Sequence, residues 1–456
     1  MIVKLAVQDQ GPVGPRLFKQ FFDETSEPEE EKRLTNEITL DDSMLSKHVL
    51  FLGGIGTGKT NAIFQLVDKI RENMDKENDL MIVFDTKGDY LQFYQEGDSV
   101  LSNKEDEGRK RNKVFKYERW NLLREIECDE EEYKEQTANE IARALYDPYA
   151  QNSNNPFFPN SARQLTQAVM MALTTKENAN KYSNVDLRNI LTSPSSTTLK
   201  ATVEEISRSL DSYPSVKWVL RYIDPSAPPQ AGGVLGEVSI MLGDLFSGFF
   251  GKKGDFSIRN FVREAGKGRA LFIEYDIGAG SALTPVYRVL VDLAIKETIS
   301  RSKGSGNVYF ILDEFGRLPD LQLIEAGINY GRELGARFVV GTQTIGQVMS
   351  AYDEGIGSSM LSGFGTTFAF NLYDQASRDF VSGRYGSLRK KVSYRPSVST
   401  ERTKDELTDG RLIEDWYISG LGLGEAIACL PDSHYPRKVK FRKYEGESMS
   451  DKLRPN

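Results

Sequence analysis

The sequence predicts a doubly wound α/β fold with a mostly parallel sheet, interrupted by an all-helical insertion. Three observations carry this. Short apolar runs, each ending in a polar residue or glycine, recur along the chain: HVLFLGG, DLMIVFDTKG, RALFIEYD, NVYFILDEF, ARFVVGTQT, TTFAFNL and EAIACLP. Near-continuous apolar runs of this length suit strands buried on both faces of a parallel sheet, and their alternation with helical text gives the βα order of doubly wound proteins. One run opens into a glycine-rich loop, GGIGTGKT (53–60), followed by the helical NAIFQLVDKIRE. Between about Asn121 and Asp255 the strand-like runs stop altogether.

In chain order, residues 1–47 form an N-terminal extension, with a short strand in IVKLAV and a solvated acidic run, EPEEEK. Residues 48–121 are the first part of the α/β domain. Residues 122–255 are the helical insertion, in which EEEYKEQTANEIARALY, SARQLTQAVMMALTTKE and LKATVEEISRSLDSY read as helices separated by Asn-, Ser- and Pro-rich links. Residues 256–456 resume the sheet. A chain of 456 residues exceeds one average domain.

Composition narrows the class. The formal net charge is −8, which argues against a simple basic DNA-coating protein but leaves a locally basic channel open. The two cysteines, Cys128 and Cys429, stand far apart and in no CxxC pair, and the two histidines, His48 and His434, are too few for a histidine-based metal site. No apolar run reaches the ~18–20 residues that cross a bilayer, and MIVKLAVQDQG lacks the basic start and long apolar core of a secretory signal. A reducing, cytoplasmic setting is the expectation.

The stretch GGIGTGKT fits GxxxxGK[ST]. In such a loop the backbone amides point inward onto phosphate oxygens, and the following helix adds its positive N-terminal end. Gly53, Gly56 and Gly58 permit close approach, Thr57 lies in the cradle, Lys59 reaches the β and γ phosphates, and the Thr60 hydroxyl ligates magnesium. The run NVYFILDEF delivers Asp313 and Glu314 to the carboxyl end of a strand, where ligands bind in open α/β sheets. Asp313 would hold magnesium through water, and Glu314 would orient and deprotonate the attacking water. That pair favours an ATPase over a small-molecule kinase.

Other polar residues are open to two readings. Gln343, in VGTQT, would sense the γ-phosphate or be an ordinary hydrogen-bonded loop glutamine. Asp85 and Lys87, in FDTKGD, would sit near nucleotide or close a strand-to-helix turn. Arg332, on a helix expected in INYGRELGARF, would face a neighbouring subunit's nucleotide or be an exposed helix arginine. The basic stretches 109–113, 383–395 and 435–443 would track a phosphate backbone or form solvated loops and edge strands.

With these motifs in order, the sequence from about Ser46 to Tyr444 resembles the conjugative type IV secretion coupling proteins, the TraG/TraD-like branch of the FtsK–HerA ring ATPases. KHVLFLGGIGTGKT is similar to the family's nucleotide loop with its preceding histidine, VFDTKGDY to its next strand end, and RWNLL and NPFFPNSARQLTQAVMMAL to the entry of its all-α domain. YFILDEFGRLPDL and GRELGARFVVGTQTIGQV resemble its Asp-Glu strand and the segment after it. The resemblance implies a RecA-like P-loop ATPase using ATP and Mg2+, with Lys59, Thr60, Asp313 and Glu314 in the roles above. It makes Arg332 a finger acting in trans and Gln343 the γ-phosphate sensor. It further implies a homo-oligomer, a hexameric ring, that recruits DNA with bound relaxase, or an effector protein, and drives its transfer. The family usually begins with transmembrane helices, and this sequence shows none. The expected place is therefore cytoplasmic and peripheral at the inner face of the cell membrane, with a separate membrane-anchoring or secretion-channel protein as partner. A soluble HerA-like translocase in repair or defence, and an ATP-dependent receptor or adaptor for effector secretion, are the alternative readings.

Overall fold

A computed structural model describes the chain except residues 14–35, 104–114, 152, 193–194, 207–212, 214–217, 247, 265–267, 277, 279–280, 319, 395–403 and 447–456. The acidic run EPEEEK and the basic stretch 109–113 lie outside the described residues. The strands, in chain order, are β1 (Ile2–Pro12), β2 (Glu37–Asp41), β3 (Val49–Leu52), β4 (Leu80–Asp85), β5 (Ser99–Ser102), β6 (Ala270–Glu274), β7 (Val308–Leu312), β8 (Ala336–Thr342), β9 (Thr366–Ala369), β10 (Ser387–Tyr394), β11 (Lys404–Arg411), β12 (Glu425–Cys429) and β13 (Arg437–Phe441). The chain divides into two compact units.

The first unit comprises Met1–Met81, Gly306–Asp320 and Glu325–Ser448. Its sheet runs β2-β1-β13-β12-β9-β3-β8-β7. The half that matters for chemistry is parallel. β3 pairs with β8 on one side and β9 on the other, and β7 pairs with β8. Val49, Leu50, Phe51 and Leu52 are fully buried, each a contribution of roughly 1.5–3 kcal/mol on burial. The other half is antiparallel, from β9–β12 through β12–β13 and β13–β1 to β1–β2. The run EAIACLP, read as a parallel strand, pairs antiparallel with both β9 and β13; residues 430–436, which join it to β13, are too few for the crossover a parallel pair needs.

The N-terminal strand is no loose appendage. The Ala6 amide donates to Gln65 Oε1 at 3.0 Å, and the Gln65 amide donates to the Arg442 carbonyl at 2.7 Å, so β1 and the end of β13 are tied to the Lys59–Asn73 helix. β13 contains most of the basic stretch 435–443, and two of its cations are matched within the sheet. Arg437 pairs with Asp9, and Lys438 lies 2.9 Å from Glu425. Lys440, Arg442 and Lys443 stand exposed.

The second unit comprises Ile82–Ser305 with Leu321–Ile324. It is wider than the expected insertion. It adds β5 and β6, which pair in parallel, and the Thr284–Ile299 helix to the helical segment. Between 122 and 255 every regular element among the described residues is helical. The longest are Glu131–Gln151, Phe157–Leu173 and Pro228–Leu245. The last was hidden in the sequence by its glycines, PPQAGGVLGEVSIMLGDL, which disfavour isolated helix. One of them, Gly233, is required by packing: a Cβ there would come 2.4 Å from the Phe158 ring, so glycine lets the two helices approach.

The helical segment enters and leaves through one neck. Asn121 donates to the Tyr182 and Gly254 carbonyls at 3.0 and 3.1 Å, and its Oδ1 accepts from the Leu123 amide at 3.0 Å. The fully buried Glu125 accepts from Trp120 Nε1, the Ser257 hydroxyl and the Ile258 amide, each at 2.8 Å. Burial pushes its carboxyl above the usual range and these donors oppose that shift. Asn121→Ala leaves buried backbone groups without partners, a cost of about 2–4 kcal/mol. Hydrogen exchange should then accelerate across 122–255 with 49–60 unchanged; unaltered protection in the helices would refute the role of the neck.

Candidate nucleotide-binding site

The phosphate loop 53–60, Asp313, Glu314, Arg332 and Gln343 all lie in the first unit. β3 ends at Leu52 and the loop 53–60 follows. Its entry is pinned from both sides: the Gly53 amide donates to the Thr342 carbonyl at 3.2 Å and the Gly54 amide to the Asn371 carbonyl at 3.0 Å. The Thr57 hydroxyl closes the loop onto the Gly54 carbonyl at 2.8 Å, and Lys59 Nζ reaches back to the Gly53 carbonyl at 3.0 Å. Gly56 and Gly58 have φ of 75° and 104°, a left-handed conformation that side chains resist. Gly53 is required for another reason: a Cβ would stand 2.6 Å from Phe370 Cβ.

Gly58 is also the N-cap of the Lys59–Asn73 helix, and neither a side-chain cap nor an acidic residue occupies its first turn. The amides ahead of the first helical bond point out of the helix and favour an anion. The loop therefore fits a phosphate chain: a cradle of backbone amides, a helix N-terminus and a lysine that glycines let close over it.

β7 brings the carboxylates to the same edge. Asp313 Oδ2 accepts from the Thr60 hydroxyl at 3.1 Å, joining residues far apart in sequence. Gly341 in β8 makes room for it, since a Cβ there would lie 2.4 Å from the Asp313 carbonyl and 2.6 Å from its Oδ1. Glu314 follows, half-buried, and Gln343 Nε2 donates to its Oε2 at 3.3 Å. Gln343 is held in turn: Gln347 Oε1 accepts from the Gln343 amide at 3.3 Å and from the Thr342 hydroxyl at 3.1 Å. Lys59, Thr60, Asp313, Glu314 and Gln343 thus form one constellation. Sequence reasoning missed Gly341, Gln347 and Gly424, whose amide donates to the Thr57 carbonyl at 2.9 Å. Only the glycine in VGTQT offered a signal.

Arg332 is not part of this cluster. It lies exposed on the short 3-10 turn Gly331–Leu334 and not on a longer helix, because Gly335 at φ 92° ends the turn and feeds β8. β8 runs parallel to β3 with Val49 opposite Val339 and Leu52 opposite Thr342. Arg332 precedes β8 and the loop follows β3, so the two sit at opposite ends of the strands, roughly 20 Å apart at ~3.3 Å per residue. Asp85 and Lys87 belong to the second unit. Asp85 accepts from the amides of Lys87, Gly88 and Tyr90 at 2.8–3.0 Å and so closes a turn; burial raises its pKa.

A glycine-rich loop at a helix N-terminus, bonded to a strand-end carboxylate with a second carboxylate beside it, defines a P-loop nucleotide-binding protein. The family model for the type IV secretion-system coupling protein DNA-binding domain matches residues 33–411, and the chain belongs to that family. It is 22% identical over 372 residues to the coupling protein TraD of Escherichia coli (strain K12), a match covering 79% of this chain and 47% of TraD. The chain therefore spans about half the length of that relative. Among solved structures it is similar to the bacterial conjugative coupling protein TrwBdeltaN70, with a TM-score of 0.68, 18% identity and 90% and 88% of the two chains covered. It is also similar to the plasmid coupling protein TrwB in complex with ADP and Mg2+, with a TM-score of 0.64, 18% identity and 98% and 97% covered. Among the described residues no helix is long and apolar enough to cross a membrane.

Gly341→Ala should displace the Asp313 carboxylate while leaving the fold intact. A displacement on the order of 1 Å in such a site costs about 100-fold in rate. Steady-state phosphate release measures it, and turnover within twofold of the parent would refute the requirement.

Proposed function

We propose that the chain is an ATP-hydrolysing motor that recruits DNA, with bound relaxase, and drives it toward a type IV secretion channel during conjugative transfer. The observation that carries this reading is the Thr60–Asp313 contact with Glu314 and Gln343 beside it. Family membership supplies the DNA and the secretion channel, and TrwB crystallised with ADP and Mg2+ is consistent with the cofactor pair.

In this reading the loop amides and Lys59 bind the β and γ phosphates, and the Thr60 and Asp313 oxygens would hold Mg2+. Bound Mg2+ supplies charge that offsets the phosphate oxygens. Glu314 orients a water against the γ-phosphorus and takes its proton as the new P–O bond forms and the bond to the β-phosphate oxygen breaks. Gln343, hydrogen-bonded to Glu314, senses the γ-phosphate and reports its loss. No cation within the constellation other than Lys59 faces the charge that spreads over the γ-phosphoryl oxygens. Arg332, at the far strand ends, serves a neighbouring copy's site, where a guanidinium binds those oxygens bidentately. The working unit is then a homo-oligomeric ring, a hexamer. Its place is the inner face of the cell membrane, beside a separate anchoring or channel protein, with the segment 122–255 as the domain that reads the substrate.

Turnover should rise on adding DNA, and comparison of single- and double-stranded DNA identifies the track; ATP turnover indifferent to both would favour a receptor for protein substrates. Glu314→Gln should bind ATP normally and lose ~100-fold or more in turnover; unchanged turnover would place the base elsewhere. Arg332→Ala and Lys59→Ala should each be nearly inactive, and a mixture of the two should regain activity, because one type of subunit interface then has both intact halves. A mixture no better than its components would refute the shared site.

A further inference from the structure

His48, the residue before β3, is buried and held at φ 60°, a conformation in which a non-glycine residue is uncommon. Its ring makes two hydrogen bonds to the backbone of one short stretch. Nε2–H donates to the Ile328 carbonyl at 2.9 Å, and Nδ1 accepts from the Phe338 amide at 3.1 Å. These partners fix the tautomer, with the proton on Nε2. Phe338 and Phe364 pack against the ring edge-on, with centroids 5.2 and 6.2 Å away. Burial pushes the His48 pKa down to about 4, and the nearby charges of Arg337 and Arg332 act in the same direction, so the ring stays neutral.

The two residues it grips are the two ends of the stretch that carries Arg332. Residues 330–335 form a loop between the Ile324–Asn329 helix and β8, and the imidazole bridges its two flanks. A second brace acts inside the loop: Arg337 Nη1 donates to the carbonyl of Arg332 itself at 2.8 Å and to that of Ala336 at 3.0 Å. Arg337 is buried, with Asp42 at 3.9 Å. The backbone of Arg332 is therefore fixed from two directions while its side chain stands exposed. Two buried polar side chains and a left-handed backbone, spent on a loop far from its own phosphate site, indicate that the loop must hold one shape.

We propose that His48 is a positioning residue for Arg332, acting with Arg337 to present the guanidinium to the γ-phosphate of a neighbouring copy. The proposal rests on the reading of Arg332 as a finger in trans. His48 does not reach its own nucleotide, because it begins β3 and the phosphate loop follows the other end of that strand. Its effect on hydrolysis must pass through Arg332, which gives it a signature distinct from a role in stability.

The test is a double-mutant cycle on the full chain, with nucleotide affinity measured alongside turnover. His48→Asn tolerates the left-handed backbone but is too short to bond both ends of the loop. It should leave ATP affinity within about twofold and lower kcat by ~10–100-fold, the scale of a finger held about 1 Å out of place. In an Arg332→Ala background the same substitution should change turnover by less than about twofold. His48→Gln, which carries both a donor and an acceptor on a longer arm, should recover part of the loss. Mixing His48→Asn with Lys59→Ala should restore activity. Should His48→Asn not yield folded protein, Arg337→Lys, which keeps the charge but loses the fork, goes through the same cycle. Equal losses in both backgrounds would overturn the proposal in favour of a structural role, as would full turnover of both variants alongside an inactive Arg332→Ala. An active Arg332→Ala would instead remove the finger reading, and the positioning role with it.

Discussion

The parallel register of β3 against β8 is the constraint on which the rest of the first unit depends. Because Leu52 lies opposite Thr342, the phosphate loop and Gln343 emerge at the same edge. Because β7 runs parallel to β8, Asp313 and Glu314 emerge there too. The same register sends the turn before β8, with Arg332, to the opposite edge. A strand pair with its direction fixed thus sorts the chemical groups into two sets, one gathered around a phosphate and one facing away. No loop of ordinary length could bring the second set back, since β8 is straight, buried and bonded on both sides.

Close packing then decides which residues the edge can hold. Gly53 and Gly341 are there for lack of space, not for backbone freedom: the first would clash with Phe370 and the second with Asp313. Gly56 and Gly58 are there for the left-handed φ. The distinction has a chemical consequence. Gly341 leaves open the space that the Asp313 carboxylate occupies beside Thr60, so the position of one oxygen depends on the missing side chain on the next strand. The polar contacts Thr60–Asp313 and Gln343–Glu314 are modest energetically. Their geometry is imposed by the apolar strands behind them.

This explains which parts of the protein were legible in the sequence. The loop, the Asp-Glu pair and Gln343 lie within a few residues of strongly apolar runs, and local pattern was enough to put each at a strand end. The helical stretch 122–255 was legible from periodicity, except for Pro228–Leu245, where glycines, one of them packed against Phe158, masked the helix. Strand direction was not legible: EAIACLP has the apolar run of a buried parallel strand and yet pairs antiparallel with β9 and β13, since burial on both faces fixes composition and leaves direction open. Long-range partners were equally hidden. Two cations of 435–443 found their partners only through the fold, where β13 brings Arg437 to Asp9 and Lys438 to Glu425. His48 read as part of a motif, and only the fold revealed that its ring holds Ile328 and Phe338.

The neck of the helical segment decides how that segment is joined to the chain on either side of it. Residues 119–121 and 254–258 are laced together by backbone bonds from Asn121 to Phe256 and from Phe256 to Arg119, and by the carboxylate of Glu125. A segment that enters and leaves at one clamped point imposes no end-to-end strain on the sheet that interrupts it. Every residue of the phosphate site sits in the other compact unit, so substitutions on the helix faces of this segment leave that site's own contacts in place. The neck itself cannot vary so freely. Glu125 is buried and accepts from Trp120 and from the start of the Ile258–Arg263 helix, and removing its carboxylate would strand the Trp120 N–H and the amide of Ile258 together. The expectation is a fold in which the neck and the nucleotide edge are the fixed parts and the helical surfaces between the two ends of the neck are the adjustable ones.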